Sequence, residues 1–239
     1  MTKLSIIIPI YNEENTIRET LRRVLLAKLP AKIKKEIIVI DDGSTDKTPA
    51  ILTECKIKNL KFKILRHSKN KGKGAAIRTG IENSTGDLII IQDADLEYNP
   101  SYYQKLLQPV LENNKQVVYG SRLINYPLIL WGKHKTILPI HLVANKLLTF
   151  LTNLLYGCSI TDMETGYKLF KRKILNGIDL ESNSFNFEAE ITAKILKKKI
   201  PIVEVPIIVK PRTYKEGKKI GWKDGIAAIW TLIKYRFSD

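Results

Sequence analysis

Cysteine is scarce in this sequence. Only Cys55 and Cys158 occur among 239 residues, and no Cys-x-x-Cys motif is present. A disulfide framework and a structural zinc site are therefore not indicated. The first residues run directly into a strand-like segment, which leaves no room for the basic and apolar regions of a secretory signal. These absences favour a reducing, cytoplasmic compartment.

A long uninterrupted apolar segment is also missing. The best candidate is residues 137–156, where the spacing of the leucines predicts an amphipathic helix. Four polar residues interrupt it, namely His141, Asn145, Lys146 and Asn153. A membrane-spanning helix needs about 20 predominantly apolar residues, so this segment does not qualify.

Residues 220–237 predict a second amphipathic helix. Its apolar positions recur at helical spacing and are Trp222, Ile226, Ile229, Trp230, Ile233 and Phe237. Most such stripes pack into a protein core, and we favour that interpretation. The alternative is a helix in a membrane interface, with aromatic rings at the headgroups and the flanking lysines over anionic lipid.

Negative charge is scarce relative to positive charge. The chain has 40 Lys and Arg against 24 Asp and Glu, a formal net charge of +16. Such a field attracts anions, which include nucleic acids, nucleotides, phosphorylated substrates and anionic membranes. Many lysines lie in surface-like clusters, so charge alone does not choose among these partners.

Short apolar runs alternate with helical patterns in the first half of the chain. The runs cover residues 4–10, 36–40, 62–65 and 87–91, and 117–119 follow as a fifth. This alternation predicts βαβ units and therefore an α/β fold with a mostly parallel sheet. The length suits one domain spanning residues 1–239.

Three acids follow the predicted strand at 87–91. Asp93, Asp95 and Glu97 occupy alternate positions, at the carboxyl end of a strand where open α/β sheets bind their ligands. Carboxylates this close repel one another unless a cation compensates, and hard oxygen ligands suit Mg²⁺ or Mn²⁺. The competing interpretation is a polar loop with solvated acids.

A second acidic cluster, residues 41–46, follows another predicted parallel strand and should lie at the same edge of the sheet. Asp41 can accept hydrogen bonds from ribose hydroxyls or a base N–H. Ser44 or Thr45 can cap the next helix. For Asp42 and Asp46, capping and turn roles are at least as plausible as contact with a ligand.

Three further segments offer groups for a phosphorylated ligand. Residues 70–76 place lysines and glycines at a predicted helix N-terminus, which suits phosphate, although they match neither a dinucleotide fingerprint nor a P-loop. At the first strand exit, Tyr11 could stack on a base and Glu13 could bind base or ribose. Arg122, after the fifth run, suits bidentate phosphate recognition, or else pairs with nearby acids at the surface.

The ordered set of motifs is characteristic of one enzyme family. It comprises Ile-Pro-Ile-Tyr-Asn-Glu-Glu, Val-Ile-Asp-Asp-Gly-Ser-Thr-Asp, Gly-Lys-Gly-Ala-Ala, Gln-Asp-Ala-Asp-Leu-Glu and Gly-Ser-Arg, and it continues through residues 162–168, 185–190, 205–206 and 211–214. In these motifs the chain resembles family 2 glycosyltransferases of the dolichyl-phosphate mannose or glucose synthase type. The resemblance covers nearly the whole chain.

The resemblance implies a GT-A fold, with a Rossmann-like sheet flanked by helices, and inversion at the anomeric carbon. The donor is then a nucleoside diphosphate sugar, UDP-glucose or GDP-mannose, bound with Mg²⁺ or Mn²⁺. Pro9, Tyr11, Glu13 and Asp41 match nucleotide-binding positions, and Lys73 lies in the glycine-rich donor loop. Asp93, Asp95 and Glu97 match the metal motif, with Asp93 also contacting the donor and Asp95 catalytic; some relatives carry Gln at the position of Glu97.

The acceptor implied by the resemblance is a polyprenyl phosphate, dolichyl or undecaprenyl. Its anionic oxygen needs no strong general base. Arg122 and Arg212 are then catalytic clamps for the acceptor phosphate and the diphosphate, assisted by Lys218. We expect peripheral binding at the cytoplasmic face of the membrane, through one of the two amphipathic helices or a partner protein.

Two alternatives compete with this hypothesis. A family 2 enzyme acting on a glycan hydroxyl would need a general base, for which the candidates are Asp162, Glu164, Glu188 and Glu190. A basic nucleic-acid-binding protein would explain the charge, but its acidic clusters would repel phosphates. We therefore expect no nucleic acid partner. The sequence leaves the sugar, the nucleotide and the oligomeric state open.

Overall fold

A computed structural model describes residues 1–57, 62–124, 139–209 and 221–238. Within these ranges seven strands form one sheet in the order β3-β2-β1-β4-β6-β5-β7. The strands are β1 (Thr2–Ile10), β2 (Ile33–Asp41), β3 (Lys63–Arg66), β4 (Leu88–Ile91), β5 (Val117–Ser121), β6 (Lys168–Lys171) and β7 (Ile202–Pro206). Only the two pairings of β6, with β4 and with β5, are antiparallel. The mostly parallel α/β sheet predicted from the sequence is confirmed.

Helices connect these strands. They are α1 (Ile17–Leu26), α2 (Thr48–Ile57), α3 (Lys73–Glu82), α4 (Tyr103–Glu112), α5 (Pro139–Tyr156), α6 (Arg172–Leu175), α7 (Phe187–Lys197) and α8 (Trp222–Phe237), with a short 3₁₀ turn at Pro100–Tyr102. The two amphipathic segments noted in the sequence correspond to α5 and α8.

Hydrophobic residues cover both faces of the sheet. In β1, Leu4, Ile6 and Ile8 face a core that includes α1 and α4, whereas Ile7 faces a second core that includes α3 and α7. A parallel strand buried on both faces is a nearly continuous apolar run. This is why residues 4–10 could be recognised as a strand although they do not alternate with polar residues.

The strand order places the loops of interest at one edge. β2, β1 and β4 are parallel neighbours, so the loops that follow them leave the sheet on the same side. β6 runs the opposite way, and its N-terminal end therefore lies at this same edge. Residues 162–167, which precede β6, are thereby brought beside the loop that follows β4.

Candidate active site

A cavity of about 470 Å³ lies at the carboxyl edge of the sheet. It gathers two candidate bases, Glu164 and Glu188, and eight residues that the motifs imply for the donor, the metal or the acceptor phosphate: Pro9, Tyr11, Glu13, Lys73, Asp93, Asp95, Glu97 and Arg122. Its wall also includes Asn70, Tyr98, Gly166, Ser184 and Phe185, to which the sequence analysis gave no individual role. Arg212 and Lys218 lie outside the described residues.

Hydrogen bonds tie the loops after β1 and β2 to each other. Asn12, in the left-handed region with φ of 52°, accepts at Oδ1 from the Thr45 N–H at 2.8 Å. Its own N–H donates to Ser44 Oγ at 3.0 Å, and the Glu13 N–H donates to Thr48 Oγ1 at 2.9 Å. These contacts fix the backbone that carries Tyr11 and Glu13 into the cavity.

The neighbouring acids Asp41 and Asp42 have different surroundings. Asp42 lines the cavity and accepts from the N–H groups of Lys71 and Gly72 at 2.9 and 2.7 Å, so it holds the glycine-lysine loop. Asp41 is almost fully buried and accepts from the Ser44 N–H at 2.9 Å. Its second oxygen lies 3.2 Å from Arg66 Nε.

Asp46 holds backbone N–H groups and does not line the cavity. It accepts from the Thr48 N–H at 2.9 Å, at the start of α2, and from the Glu14 N–H at 3.1 Å. The bond to the N–H two residues along the chain is an Asx turn just before α2, which is the turn role considered for this residue.

Two glycines allow α3 to begin against the segment before α7. Gly72 has φ of +98°, and a Cβ there would lie 2.2 Å from the Asn183 carbonyl oxygen. A Cβ at Gly74 would lie 2.2 Å from the Ser182 carbonyl oxygen. Any larger residue would push this segment away, and with it Ser184 and Phe185 in the cavity wall.

Four residues of alternating charge cross the cavity wall into the core. Lys73 Nζ lies 2.8 Å from Asp93 Oδ1 and 3.2 Å from Glu188 Oε1. The other Glu188 oxygen lies 2.6 Å from Nζ of Lys168, which is fully buried and also donates to two backbone carbonyls. Burial lowers the pKa of Lys73, but Asp93 and Glu188 outweigh it and raise that pKa overall. Lys73 is therefore a cation that neutralises Asp93.

The acids of the predicted metal motif all face the cavity. Asp95 Oδ1 accepts from the Glu97 N–H at 3.1 Å, across Leu96 in the left-handed region. Within the described ranges, no three Asp, Glu, His or Cys side chains are grouped so as to hold a metal ion. Mg²⁺ commonly takes only one or two protein carboxylates and completes its shell with substrate phosphates and water. Asp93 and Asp95 fit that kind of site.

Arg122 is held by a buried acid. Its Nε and Nη2 donate to the two oxygens of Asp162 at 2.7 and 2.8 Å, and its backbone N–H donates to the same carboxylate at 2.9 Å. Burial opposes the charge, but Asp162 outweighs it and raises the pKa of Arg122 well above its usual value. Because Asp162 is fully buried, this is not the surface ion pair considered from the sequence.

The other candidate bases differ in their surroundings. Glu190 is fully buried and accepts from the N–H groups of Glu181 and Ser182, both at 2.8 Å. Glu164 lines the cavity, and its Oε1 is shielded from solvent without a hydrogen-bond partner among the described residues. Burial raises the pKa of Glu164 to about 7, although Lys168 lowers it in part.

Helices α5 and α8 pack side by side and expose apolar side chains. Large exposed residues are Ile140, Val143, Leu147, Phe150 and Leu154 on α5, and Trp222, Ile226, Trp230, Ile233 and Phe237 on α8. The core contacts of α8 come instead from Ala228, Leu232 and Tyr235. The core-packing interpretation of the 220–237 stripe is therefore wrong for five of its six residues; only Ile229 packs against this cluster. We call these ten exposed side chains the apolar face. No helix in the described part of the chain could cross a membrane.

A mostly parallel sheet with an acid-lined cavity at its carboxyl edge defines an α/β enzyme that binds a polar ligand at the strand ends. Residues 5–178 match the profile of glycosyl transferase family 2, and the chain belongs to that family. Its fold is the GT-A fold that the motifs imply. The chain superposes over its full length on 81% of glucosyl-3-phosphoglycerate synthase from Mycobacterium tuberculosis, crystallised with Mn²⁺, UDP-glucose and phosphoglyceric acid, with a TM-score of 0.71 and 20% identity.

Two relatives have names that state an acceptor. UDP-N-acetylglucosamine–dolichyl-phosphate N-acetylglucosaminyltransferase of Methanococcus voltae is 31% identical over 84% of this chain and 83% of its own length. Dolichol-phosphate mannosyltransferase of Pyrococcus furiosus is 28% identical over 92% of this chain and 60% of its own length. The chain thus spans about three fifths of the second relative.

Proposed function

We propose that the protein transfers a hexose, with inversion, from UDP-glucose or GDP-mannose to a polyprenyl phosphate. The observation that carries the proposal is that Arg122, fixed by Asp162, shares one cavity with the metal motif and the residues after β1. A cation beside a donor site is what an anionic acceptor requires. The names of two relatives include dolichyl or dolichol phosphate.

The nucleotide binds in the part of the cavity lined by Pro9, Tyr11 and Glu13, with Asp41 beneath the loops at the end of β2. Tyr11 stacks on the base, and Glu13 accepts hydrogen bonds from base or ribose. Asp41, which is almost fully buried, stays a prediction as a nucleotide contact. The diphosphate reaches Lys73 at the N-terminus of α3, where the helix dipole also favours an anion.

A divalent cation, Mg²⁺ or Mn²⁺, would be held by Asp93 and Asp95, with Glu97 beside them, and would stabilise the leaving diphosphate. Lys73 Nζ, 2.8 Å from Asp93 Oδ1, balances the charge of this acid. Its ammonium group lies where it can also bind the phosphate oxygens of the donor.

Arg122 orients the acceptor phosphate. Two of its five N–H donors are used on Asp162, which leaves others to point at a phosphate oxygen. That oxygen attacks the anomeric carbon as the bond to the diphosphate breaks, so the nucleoside diphosphate leaves with the electron pair. Positioning and charge stabilisation then supply the catalysis. Arg212 and Lys218 stay predictions as further clamps.

The apolar face fits an acceptor that resides in a membrane. Phe150 and Trp230 are 64% and 67% exposed, far above what a core residue shows. Basic residues accompany the face on α8, including Lys223, Lys234 and Arg236. An interfacial helix combines apolar side chains in the acyl boundary with cations over anionic headgroups. We infer peripheral binding to the cytoplasmic surface through α5 and α8.

A hydroxyl acceptor is the second candidate function, and one observation favours it. Glu164 lies in the cavity with a pKa raised by burial to about 7, which suits a general base near neutral pH. A glycan hydroxyl would then lose its proton to Glu164 during attack on the anomeric carbon.

The deciding experiment incubates the protein with Mn²⁺, a panel of UDP- and GDP-sugars, and one of three acceptors: a short polyprenyl phosphate, its dephosphorylated alcohol or an oligosaccharide. Products are followed by mass spectrometry. We expect glycosylation of the phosphate alone, abolished by EDTA and by Arg122→Ala. Products from hydroxyl acceptors only would establish the second candidate, and absence of nucleotide-sugar binding would refute both.

A further inference from the structure

Glu164 differs from the other acids of the cavity wall in its bonding. Asp93 and Glu188 share Lys73, and Asp42 accepts two backbone N–H groups. Glu164 Oε1 is withdrawn from water and has no hydrogen-bond partner in the described ranges. A shielded polar atom without a partner is unfavourable. Because Glu164 lines an open cavity, rotation of its carboxyl group can present an oxygen to a ligand, which then supplies the missing hydrogen bond.

The position of Glu164 indicates which part of a ligand it meets. Gly166, two residues further on, lies against the metal motif, since a Cβ on Gly166 would be 2.3 Å from Asp93 Oδ2. The donor diphosphate belongs at Asp93 and Asp95, and the sugar is bonded to its distal phosphate. A carboxyl on the segment that touches Asp93 is therefore placed beside the sugar and not beside the base.

We propose that the Glu164 carboxyl accepts a hydrogen bond from a hydroxyl of the transferred hexose and thereby selects the sugar of the donor. This inference rests on the proposed function, since it needs a nucleotide sugar at the metal motif. A hydrogen bond to a carboxylate is stronger than one between neutral groups. A site that is built to bind a substrate hydroxyl also rejects analogues that lack it.

The test separates sugar binding from nucleotide binding. Affinities of UDP, GDP and their hexose conjugates are measured by calorimetry with Mn²⁺, for the wild type, Glu164→Ala and Glu164→Gln. We expect Glu164→Ala to weaken the preferred nucleotide hexose about tenfold and the free nucleotide less than twofold. Glu164→Gln, which retains an acceptor oxygen, should recover part of the loss. Glu112→Ala, on the exposed end of α4, is the matched control for loss of one negative charge.

Deoxy analogues identify the hydroxyl. If one hydroxyl bonds to Glu164, the donor lacking it should bind the wild type and Glu164→Ala with the same affinity, because the variant then has nothing further to lose. The other deoxy donors should still distinguish the two proteins.

Three results would overturn the inference. Equal losses for the free nucleotide and the nucleotide hexose would show that Glu164 only maintains the cavity. Unchanged binding with a large fall in turnover would make Glu164 a base for a hydroxyl acceptor. If the wild type bound neither UDP- nor GDP-sugars, the proposed function would fail and the inference with it, whereas the first two results leave donor use intact.

Discussion

The cavity has two ends that are constructed differently. At the nucleotide end, the loops carrying Tyr11 and Glu13 are fixed by hydrogen bonds to backbone N–H groups. At the opposite end, which we call the arginine end, Arg122, Asp162 and Glu164 are charged or titratable groups withdrawn from water. The bonds of Asn12, Ser44, Thr45 and Thr48 at the first end join neutral groups, so they should respond less to pH and salt than the ion pair of the second end. The second should respond to both.

The largest effect should come from the metal motif, which lies between the two ends. Asp95→Asn should reduce turnover by a factor on the order of 10²–10³, since charge stabilisation of the leaving diphosphate is lost. Steady-state assays across a Mn²⁺ titration measure it. Asp179→Asn, at an exposed position outside the cavity, is the matched control and should retain the wild-type activity. Turnover by Asp95→Asn equal to that of the wild type would refute the metal assignment.

Removing the acid at the arginine end should cost stability. Asp162→Ala leaves Arg122 buried without its counter-ion, so the free energy of unfolding should fall by about 3–5 kcal/mol. Urea unfolding measures the change. Glu54→Ala, which breaks the exposed pair with Arg18, should leave the free energy of unfolding nearly unchanged. Equal effects of the two substitutions would mean that burial does not distinguish these pairs.

The two ends also differ in how far the sequence could predict them. Tyr11, Glu13, Asp93 and Asp95 follow strands that are clear apolar runs, so their meeting at one edge follows from parallel pairing. The Asp162–Arg122 pair could not be predicted in this way. It depends on β6, which has four residues, begins with the buried Lys168 and is a strand only through its antiparallel pairing with β4 and β5.

The orientation of α8 could not be predicted from its sequence. Helical spacing of Trp222, Ile226 and Trp230 identifies one side of α8, but it does not tell whether that side faces the core. Ala228, Leu232 and Tyr235 form another apolar side and make the core contacts. The choice between the two sides is made by α5 and α7, which pack against α8.

Titration of Glu164 should make the stability of the arginine end depend on pH. Burial raises the folded-state pKa to about 7 from 4.5. Between these values the folded protein binds more protons than the unfolded chain, so stability falls as pH rises. The wild type should lose up to about 3 kcal/mol relative to Glu164→Gln between pH 5 and pH 8. Urea unfolding of both proteins across that range tests this, and parallel curves would contradict it.

A smaller effect is expected where the nucleotide end meets the metal motif. Lys73→Met removes the cation that binds Asp93 and, in our proposal, the donor diphosphate. Nucleotide-sugar affinity should fall about tenfold, as for loss of one charge-assisted hydrogen bond. Calorimetry measures it, with Lys71→Met as the control, since that exposed lysine contributes its backbone N–H to Asp42. Equal nucleotide-sugar affinities of the two variants would show that Lys73 does not bind the diphosphate.

The smallest effect on the folded protein should come from the apolar face, because its side chains already contact solvent. Phe150→Glu combined with Trp230→Glu should leave the free energy of unfolding within about 0.5 kcal/mol per site. Binding to anionic vesicles, followed by cosedimentation, should nevertheless fall several-fold, since apolar area is lost and two negative charges face the lipid.

Leu111→Glu, at an exposed position on α4, is the control and should leave vesicle binding nearly unchanged. If the double variant bound vesicles as well as the wild type does, α5 and α8 would not mediate membrane binding. The lipid acceptor would then have to reach Arg122 from another surface.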